Sequence, residues 1–460
     1  MLAHFEEYLA LYMFPVLAIL LFSGVPVGFV LGGVALLFAV IGIGFGVMNV
    51  NELYLFVERA WQSGAENLVL VAIPSFIFMG TVLERSRVAK DLLDLLQMLL
   101  RRAPGSLALA VTLMGTIMAA TTGIIGASVV MMTLMALPTM LSQRYAPELA
   151  TGSIAASATL GILLPPSIML VVMADLLTIS VGNLFTGAIL PGLLLAFLYL
   201  LYVVVLAKLK PEMAPPLRVD GQVDEQRLNG NTFFILLLRG FFPPVFLISL
   251  VLGSIFGGWA TPTEAAGIGA FGALVLAAIK GKFSKKLVSE SCQSTALTTS
   301  MIFLIIFGAT AFSFVFRALW GEDLVIELMN STGFGPWGIL MVIMLGVFLL
   351  GFFFDWIEIT LIILPVFAPI VAQLDFGDHV ASTEMLYWFA ILVAINLQTS
   401  FLTPPFGAAL FYMKGTAKAT VKLQQIYRGI IPFVVLQLIG LGLVLAWPEI
   451  ALWLPRVLME

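Results

Sequence analysis

Long apolar runs, broken at intervals by short polar stretches and by glycine and proline, dominate this chain, and their lengths assign its elements. From Leu11 to Phe45 the run is too long for one membrane span, and Ser23-Gly24-Val25-Pro26 divides it into two helices joined by an uncharged tight turn. Residues Asn51 to Glu66 mix Glu52, Glu58, Arg59 and Trp61 with apolar positions, which predicts an amphipathic helix at the membrane surface. A span at about Leu68 to Leu83 follows, and then Glu84 to Arg102, where Arg85, Arg87, Lys90, Arg101 and Arg102 among leucines predict a second surface helix. The apolar stretch from Pro104 to Gln143 has a polar centre, Thr121-Thr122-Gly123-Ile-Ile-Gly126-Ala-Ser128. Two structures fit it: two complete spans with a buried loop, or a re-entrant helical hairpin whose tip stops inside the bilayer. Arms of about 16 residues are short for a crossing at 1.5 Å per residue. Both feet are basic (Arg101, Arg102 and Arg144), which favours re-entry.

The next run is interrupted midway by Gly161-Ile-Leu-Leu-Pro165-Pro166-Ser167. A proline removes a backbone donor and clashes with the carbonyl four residues back, so two in succession unwind a helix and free several backbone polar groups. In hydrocarbon those groups cost several kcal/mol each unless protein, water or an ion satisfies them, so such a break belongs beside a cavity. The device returns at Asn396-Leu-Gln398-Thr399-Ser400-Phe-Leu-Thr403-Pro404-Pro405-Phe-Gly407. Paired interruptions in matching halves are the best sequence pointer to a transporter's binding site.

The halves match elsewhere too. Pro262 repeats Pro26 after 236 residues, Pro404 repeats Pro165 after 239, and Pro432 repeats Pro191 after 241. Three offsets this close indicate a duplication. It divides the chain into a first repeat at 1–207 (hairpin 104–143, broken helix 148–178), a hydrophilic linker at 208–231, and a second repeat at 232–460 (hairpin 335–374, broken helix 385–413). The second hairpin centres on Asp355-Trp-Ile-Glu358-Ile-Thr360 and has acidic flanks, Glu322, Asp323 and Glu327 before it and Asp375, Asp378 and Glu384 after it. Most of the 22 Lys and Arg fall in segments that the span count puts on one side, which the positive-inside rule makes cytoplasmic, the linker included. The first hairpin then enters from the cytoplasm and the second from outside. The expected fold is an all-α polytopic membrane protein of two inverted repeats, each with a re-entrant hairpin and a proline-broken helix, of the elevator-type ion transporter kind.

Composition closes off other classes. Of 460 residues 61% are hydrophobic and 10% charged, with mean hydropathy +1.09, so this is no soluble domain. The net charge of −4 gives no reason to expect a nucleic-acid partner. Met1 to Glu7 lacks the basic start of a cleavable signal peptide, so the first run is expected to stay as a span. Cys292 stands alone and is expected to be a packed small residue, while His4 and His379 lie near ends of spans. A histidine-based hydrolase, a membrane protease or a zinc centre is thereby excluded, and no phosphate-binding Gly-x-x-x-x-Gly-Lys loop supports an ATP-driven pump. A channel would need polar rings along a pore, whereas the polar residues here cluster at one depth.

Gly161-Ile-Leu-Leu-Pro-Pro-Ser167, Thr261-Pro-Thr-Glu-Ala-Ala266, Ala188-Ile-Leu-Pro-Gly192 and Gln398-Thr-Ser-Phe-Leu-Thr-Pro-Pro-Phe-Gly407, in this order, resemble the large membrane subunit (DctM-like) of the tripartite ATP-independent periplasmic (TRAP) transporters. The resemblance spans nearly the whole chain. It implies the permease of a Na⁺-driven, elevator-type importer of small organic acids in the bacterial inner membrane, surrounded by membrane lipid. The implied partners are a small four-helix membrane subunit, not fused to this chain, and a periplasmic substrate-binding protein. No cofactor is implied beyond Na⁺ as the coupling ion, and no enzymatic activity. The alternative is a stand-alone ion-coupled carboxylate symporter or ion antiporter of related hairpin fold, which needs no binding protein.

Na⁺ is a hard cation that takes oxygen ligands, and unwound carbonyls with Ser/Thr hydroxyls supply them at the partly negative C-terminal ends of half-helices. Thr121, Thr122 and Ser128 of the first hairpin can face the first break, and Asp355, Thr360, Asn396, Thr399 and Thr403 can do the same in the second half. The resemblance points to Na⁺ between each hairpin tip and its broken helix, which fits backbone oxygens of Gly161, Leu164 and Pro166. Substrate contacts are expected at the breaks: Pro165 and Ser167 in one, Pro405 and Gly407 in the other. Each hydroxyl named here can equally bond the carbonyl four residues back, Glu358 can be a solvated tip, and Glu264 is expected to cap its helix.

Overall fold

The computed structural model describes residues 8–122, 125–216, 218–219, 222–223, 234, 237–331, 333–404, 407–417 and 420–459. Twenty α-helices account for nearly all of it, and a two-residue ribbon, Arg218–Val219 against Gln222–Val223, lies in the linker.

The first repeat runs through α1 (Leu9–Leu21), α2 (Val27–Gly44), α3 (Glu52–Gly64), α4 (Ala72–Arg85) and α5 (Val88–Leu100). The hairpin arms α6 (Ser106–Thr122) and α7 (Ile125–Ser142) follow, then the broken pair α8 (Pro147–Thr159) and α9 (Ile168–Leu176), and the long α10 (Val181–Leu209). The second repeat answers in the same order: α11 (Phe242–Phe256), α12 (Pro262–Ile279), α13 (Lys285–Ala318), α14 (Gly321–Ser331), arms α15 (Pro336–Leu350) and α16 (Trp356–Val371), broken pair α17 (Met385–Ser400) and α18 (Ala408–Ala417), and α19 (Leu423–Ala446). A short α20 (Glu449–Met459) closes the chain.

Among the described residues seven helices are long and apolar enough to cross a membrane, or eight counting α3 with the Val69–Arg85 segment, which bend by 50° at residues 65–68. That bend is where the repeats differ: the equivalent of α3 and α4 in the second half is the single 34-residue α13. α3 carries its charges on an exposed face, as expected for a surface helix, and α5 likewise buries Leu92, Leu93 and Leu96 beneath exposed Arg87 and Lys90.

The repeats are interleaved by reciprocal packing. α2 lies along α13, and its counterpart α12 lies along α4. The broken helix α8 packs on α19, and its counterpart α17 on α10. Each outer half-helix sits on the return arm of the other repeat's hairpin, α18 on α7 and α9 on α16. Every one of these pairs maps onto the next by exchanging the repeats, which is what an inverted duplication with a pseudo-two-fold axis produces.

Two local expectations are settled by packing and capping. Glu264 caps α12 as expected: its carboxylate accepts from the Thr261 N–H at 2.8 Å while Thr261 Oγ1 accepts from the Glu264 N–H, a capping box. Cys292, expected to be packed, is exposed on α13, where its neighbour Ser291 takes the buried position instead.

Candidate functional site

In the first half, α8 tightens into a 3₁₀ turn at Leu160–Ile162, and the chain turns at Leu163 and bends through Leu164–Pro166 before Ser167 and the start of α9 at Ile168. Pro165 and Pro166 have no N–H, and among the described residues the carbonyls of Leu163, Leu164, Pro165 and Pro166 accept no hydrogen bond. They form a run of unsatisfied oxygens inside the protein, because the whole segment from Leu160 to Ala174 is buried. Gly161 lies within the 3₁₀ turn.

Ser167 is fully buried and has a capping role. Its hydroxyl donates to Ile162 O and accepts from the Leu170 N–H at 3.5 Å, which starts α9 and folds the break back on itself. Its hydroxyl is thus already bonded on both sides. The side chains of Thr121 and Thr122 lie outside the described residues, although both belong to the last turn of α6; Ser128 is buried on α7.

In the second half α17 is buried along its whole length after Tyr387 and ends in a turn at Phe401–Pro404. Pro405 lies outside the described residues. Gly407 sits in the tightest part of the turn: a methyl group there would stand 2.9 Å from Phe401 O and 3.0 Å from Thr403 O. The hydroxyls of Thr399 and Thr403 donate back to Asn396 O (2.7 Å) and Thr399 O (3.0 Å), leaving their lone pairs available. Asn396 Nδ2 donates to Met344 O at 2.7 Å and ties the broken helix to the first arm of its hairpin. Its Oδ1 is buried with no partner among the described residues, and so is Thr360 Oγ1. An unsatisfied buried polar atom costs about 1–3 kcal/mol, so each of these oxygens is poised to take a cation or a donor.

Asp355 and Glu358 form the hairpin tip's own capping box. Asp355 accepts from the Trp356 N–H at 2.8 Å, and Glu358 accepts from the Asp355 N–H at 2.9 Å, so both carboxylates hold the start of α16. Gly351, just before them, lets the tip touch the break: a methyl group there would lie 2.6 Å from Ser400 Cβ.

A cavity of about 330 Å³ opens at this junction. Asp355 and Glu358 of the tip, Ser400 and Ala408 on either side of the break, and Phe22 and Gly24 of the α1–α2 turn line it. It therefore lies between the hairpin-and-break assembly and the first two helices, and Phe22 and Phe353 meet across it with ring centroids 5.4 Å apart. At the first break α10 packs closely: a methyl group at Gly192 would come 2.5 Å from the Leu164 side chain. Among the described residues expected to meet substrate, Gly407 adjoins the cavity through its neighbour Ala408, while Pro165 and Ser167 lie buried away from its walls.

Sequence reasoning passed over Gln398, whose two amide atoms are fully buried without a partner among the described residues. It also passed over the α1–α2 turn as a cavity wall. A glutamine in an apolar helix was the available signal for the first; nothing local marks the second.

Residues 14–450 match the family model described as "Tripartite ATP-independent periplasmic transporter, DctM component". The chain belongs to this family. Two relatives match along most of their length. The sialic acid TRAP transporter large permease protein SiaM of Vibrio cholerae is 26% identical over 441 residues, covering 96% of this chain and 97% of its own. The C4-dicarboxylate TRAP transporter large permease protein DctM of Pseudomonas aeruginosa is 28% identical over 393 residues, covering 85% and 87%. Among solved structures, the YdaH transporter of Alcanivorax borkumensis shares the fold with a TM-score of 0.60 at 15% identity, over 86% of this chain and 90% of its own. This TRAP large permease is thus a multi-pass membrane transport protein and not an enzyme, and the resemblance read from its motifs holds.

Proposed function

We propose that this TRAP permease is the membrane engine of a Na⁺-driven importer of small organic acids in the bacterial inner membrane, working with a small four-helix subunit and a periplasmic binding protein. The two hairpins and two broken helices form the moving body. α1, α2, α11 and α12 with the surface helices form the scaffold, and the two repeats are assigned to 1–207 and 232–460 around a cytoplasmic linker. The observation that carries this reading is the cavity between tip, break and α1–α2 turn, because it lies on the seam that an elevator movement must open and close.

Na⁺ would be held at the C-terminal ends of the half-helices by oxygens alone. The unsatisfied carbonyls of Leu164 and Pro166, with Gly161, supply them in one half, and Asn396, Thr360, Thr399 and Thr403 in the other. Carbonyl and hydroxyl oxygens are hard donors of the kind that suit Na⁺. The cavity wall carries two carboxylates and no cation, so an anionic substrate depends on bound Na⁺ and on the N-terminus of α18 to offset its charge. The relatives are named for sialic acid and for C4-dicarboxylates, which are carboxylates of different size, so selection among acids is assigned largely to the binding protein.

The α1–α2 turn lies on the basic, cytoplasmic side by the span count, so the cavity faces inward in this conformation. Uptake of labelled sialic acid and succinate by proteoliposomes holding the permease, its small subunit and a binding protein tests the proposal. Uptake driven by an inward Na⁺ gradient without ATP, and requiring the binding protein, is expected. Uptake unchanged when K⁺ replaces Na⁺ contradicts ion coupling, and uptake at full rate without the binding protein favours the stand-alone symporter.

A further inference from the structure

A polar cavity away from the hairpins and breaks serves no part of that mechanism. It has a volume of about 460 Å³ and lies where α5, the π-turn Leu237–Phe241 and the C-terminal end of α12 meet. Four cations line it: Arg87, Arg239, Lys280 and Lys282. Among the described residues Asp91 is the only acidic one in its wall, and it is taken up by an ion pair with Lys280. Arg87, Arg239 and Lys282 make no ion pair among the described residues and are exposed. Three uncompensated charges therefore converge on one concavity.

The rest of the wall is apolar. Leu238 and Ile279 stand beside the cations at 44% and 76% exposure, in helices that continue into the membrane. A site for a free anion would have no reason to place an exposed isoleucine and leucine at its rim. The Ser86 hydroxyl is bonded to Leu83 O, so it does not compete for the ligand. The π-turn packs on α5 and contributes Leu238 and Arg239 to the wall, and such turns recur at functional sites. By the distribution of Lys and Arg this end of the helices is cytoplasmic.

We infer that this cavity binds the phosphodiester headgroup of an anionic phospholipid of the cytoplasmic leaflet, with an acyl chain running down past Ile279 and Leu238. Basic pockets between membrane helices on this face take such headgroups, each Lys or Arg contributing on the order of 1 kcal/mol. The lipid would bridge α5 of the first repeat to α11 and α12 of the second, on elements that stay still in the proposed movement. Its role is to brace the scaffold, and it is independent of whether Na⁺ drives transport.

The test uses the purified full-length chain in detergent, with thermal unfolding and native mass spectrometry as readouts. The probes are tetraoleoyl cardiolipin, dioleoyl-phosphatidylglycerol, dioleoyl-phosphatidylcholine and inorganic phosphate. The two anionic lipids are expected to raise Tm and to be retained, and phosphatidylcholine is not. The variant Arg87→Ala/Arg239→Ala/Lys282→Ala is expected to bind them roughly a hundredfold more weakly. Arg87→Lys/Arg239→Lys keeps the charge and is expected to retain them, which separates lost binding from misfolding, and Arg102→Ala/Lys208→Ala/Lys210→Ala, at exposed cations outside the cavity, serves as a charge-matched control. Equal retention by the triple variant and the native chain overturns the site. Stabilisation by inorganic phosphate that displaces the lipids overturns the lipid and leaves a free-anion site.

Discussion

Glu358 shows how a charged residue in a membrane hairpin can carry two duties. Its carboxylate caps the backbone of Asp355, a role glutamine also fills, and it lines the cavity, where charge matters. Glu358→Ala is expected to lower stability by about 0.5–2 kcal/mol through the lost cap. Glu358→Gln is expected to keep Tm while altering substrate affinity; if uptake by Glu358→Gln equals that of the native chain, the carboxylate is only a cap. Gly407 is constrained by space instead. Alanine there meets two backbone carbonyls and is expected to shift the break at a cost of about 1–3 kcal/mol, with loss of Na⁺-dependent uptake. Gly415→Ala, whose added methyl would meet nothing within 4 Å, is the matched control for uptake assays. The Asp355-x-x-Glu358 spacing announced a capping box in the sequence, yet the membrane setting drew the reading toward ion binding. Ser167 posed the opposite problem: its place after two prolines suggested a ligand, whereas a helix restarting there needs an N-cap first.

The elements were legible because the hydrophobic runs are long and the interruptions carry proline. Hairpin arms and broken helices begin and end within a few residues of their expected bounds, since the two processes that set them, helix breaking and apolar length, are local. What the pattern could not show is which elements touch. α3 and α4 bend at Glu66 and Asn67, and this bend places Asn67 to donate to Asp175 at the end of α9 (2.7 Å). Asn67 stands on the scaffold side and Asp175 on the broken helix. In the proposed movement their contact would join the two bodies on the side opposite the cavity's opening, where an inward-facing state would be closed. Asn67→Ala removes it and is expected to raise the fraction of outward-facing protein, read as faster labelling of a cysteine at the half-buried neighbour Leu176, which leaves Asp175 in place, in a Cys292→Ser background. Labelling at the native rate shows that the bond does not hold the state.

At the scale of the whole molecule, the reciprocal packing argues that the moving parts form one body. Each outer half-helix rests on the other repeat's hairpin, α18 on α7 and α9 on α16, so neither repeat can shift its hairpin alone. Offsets near 240 residues revealed the duplication but not this exchange, because contact between repeats leaves no periodic trace in either one. The central claim is therefore a relative displacement along a single seam. In a Cys292→Ser background, a cysteine pair at Phe22 and Phe353 spans that seam, where the native rings lie 5.4 Å apart, and a pair at Gly126 and Tyr412 joins α7 to α18 within the moving body. Crosslinking of both pairs measured in Na⁺ with and without substrate and binding protein is the most direct test. The account predicts that the seam pair crosslinks in the inward-facing state and is lost when the protein faces outward, while the internal pair crosslinks equally in both. Loss of the internal pair in either state, or persistence of the seam pair in both, would contradict it.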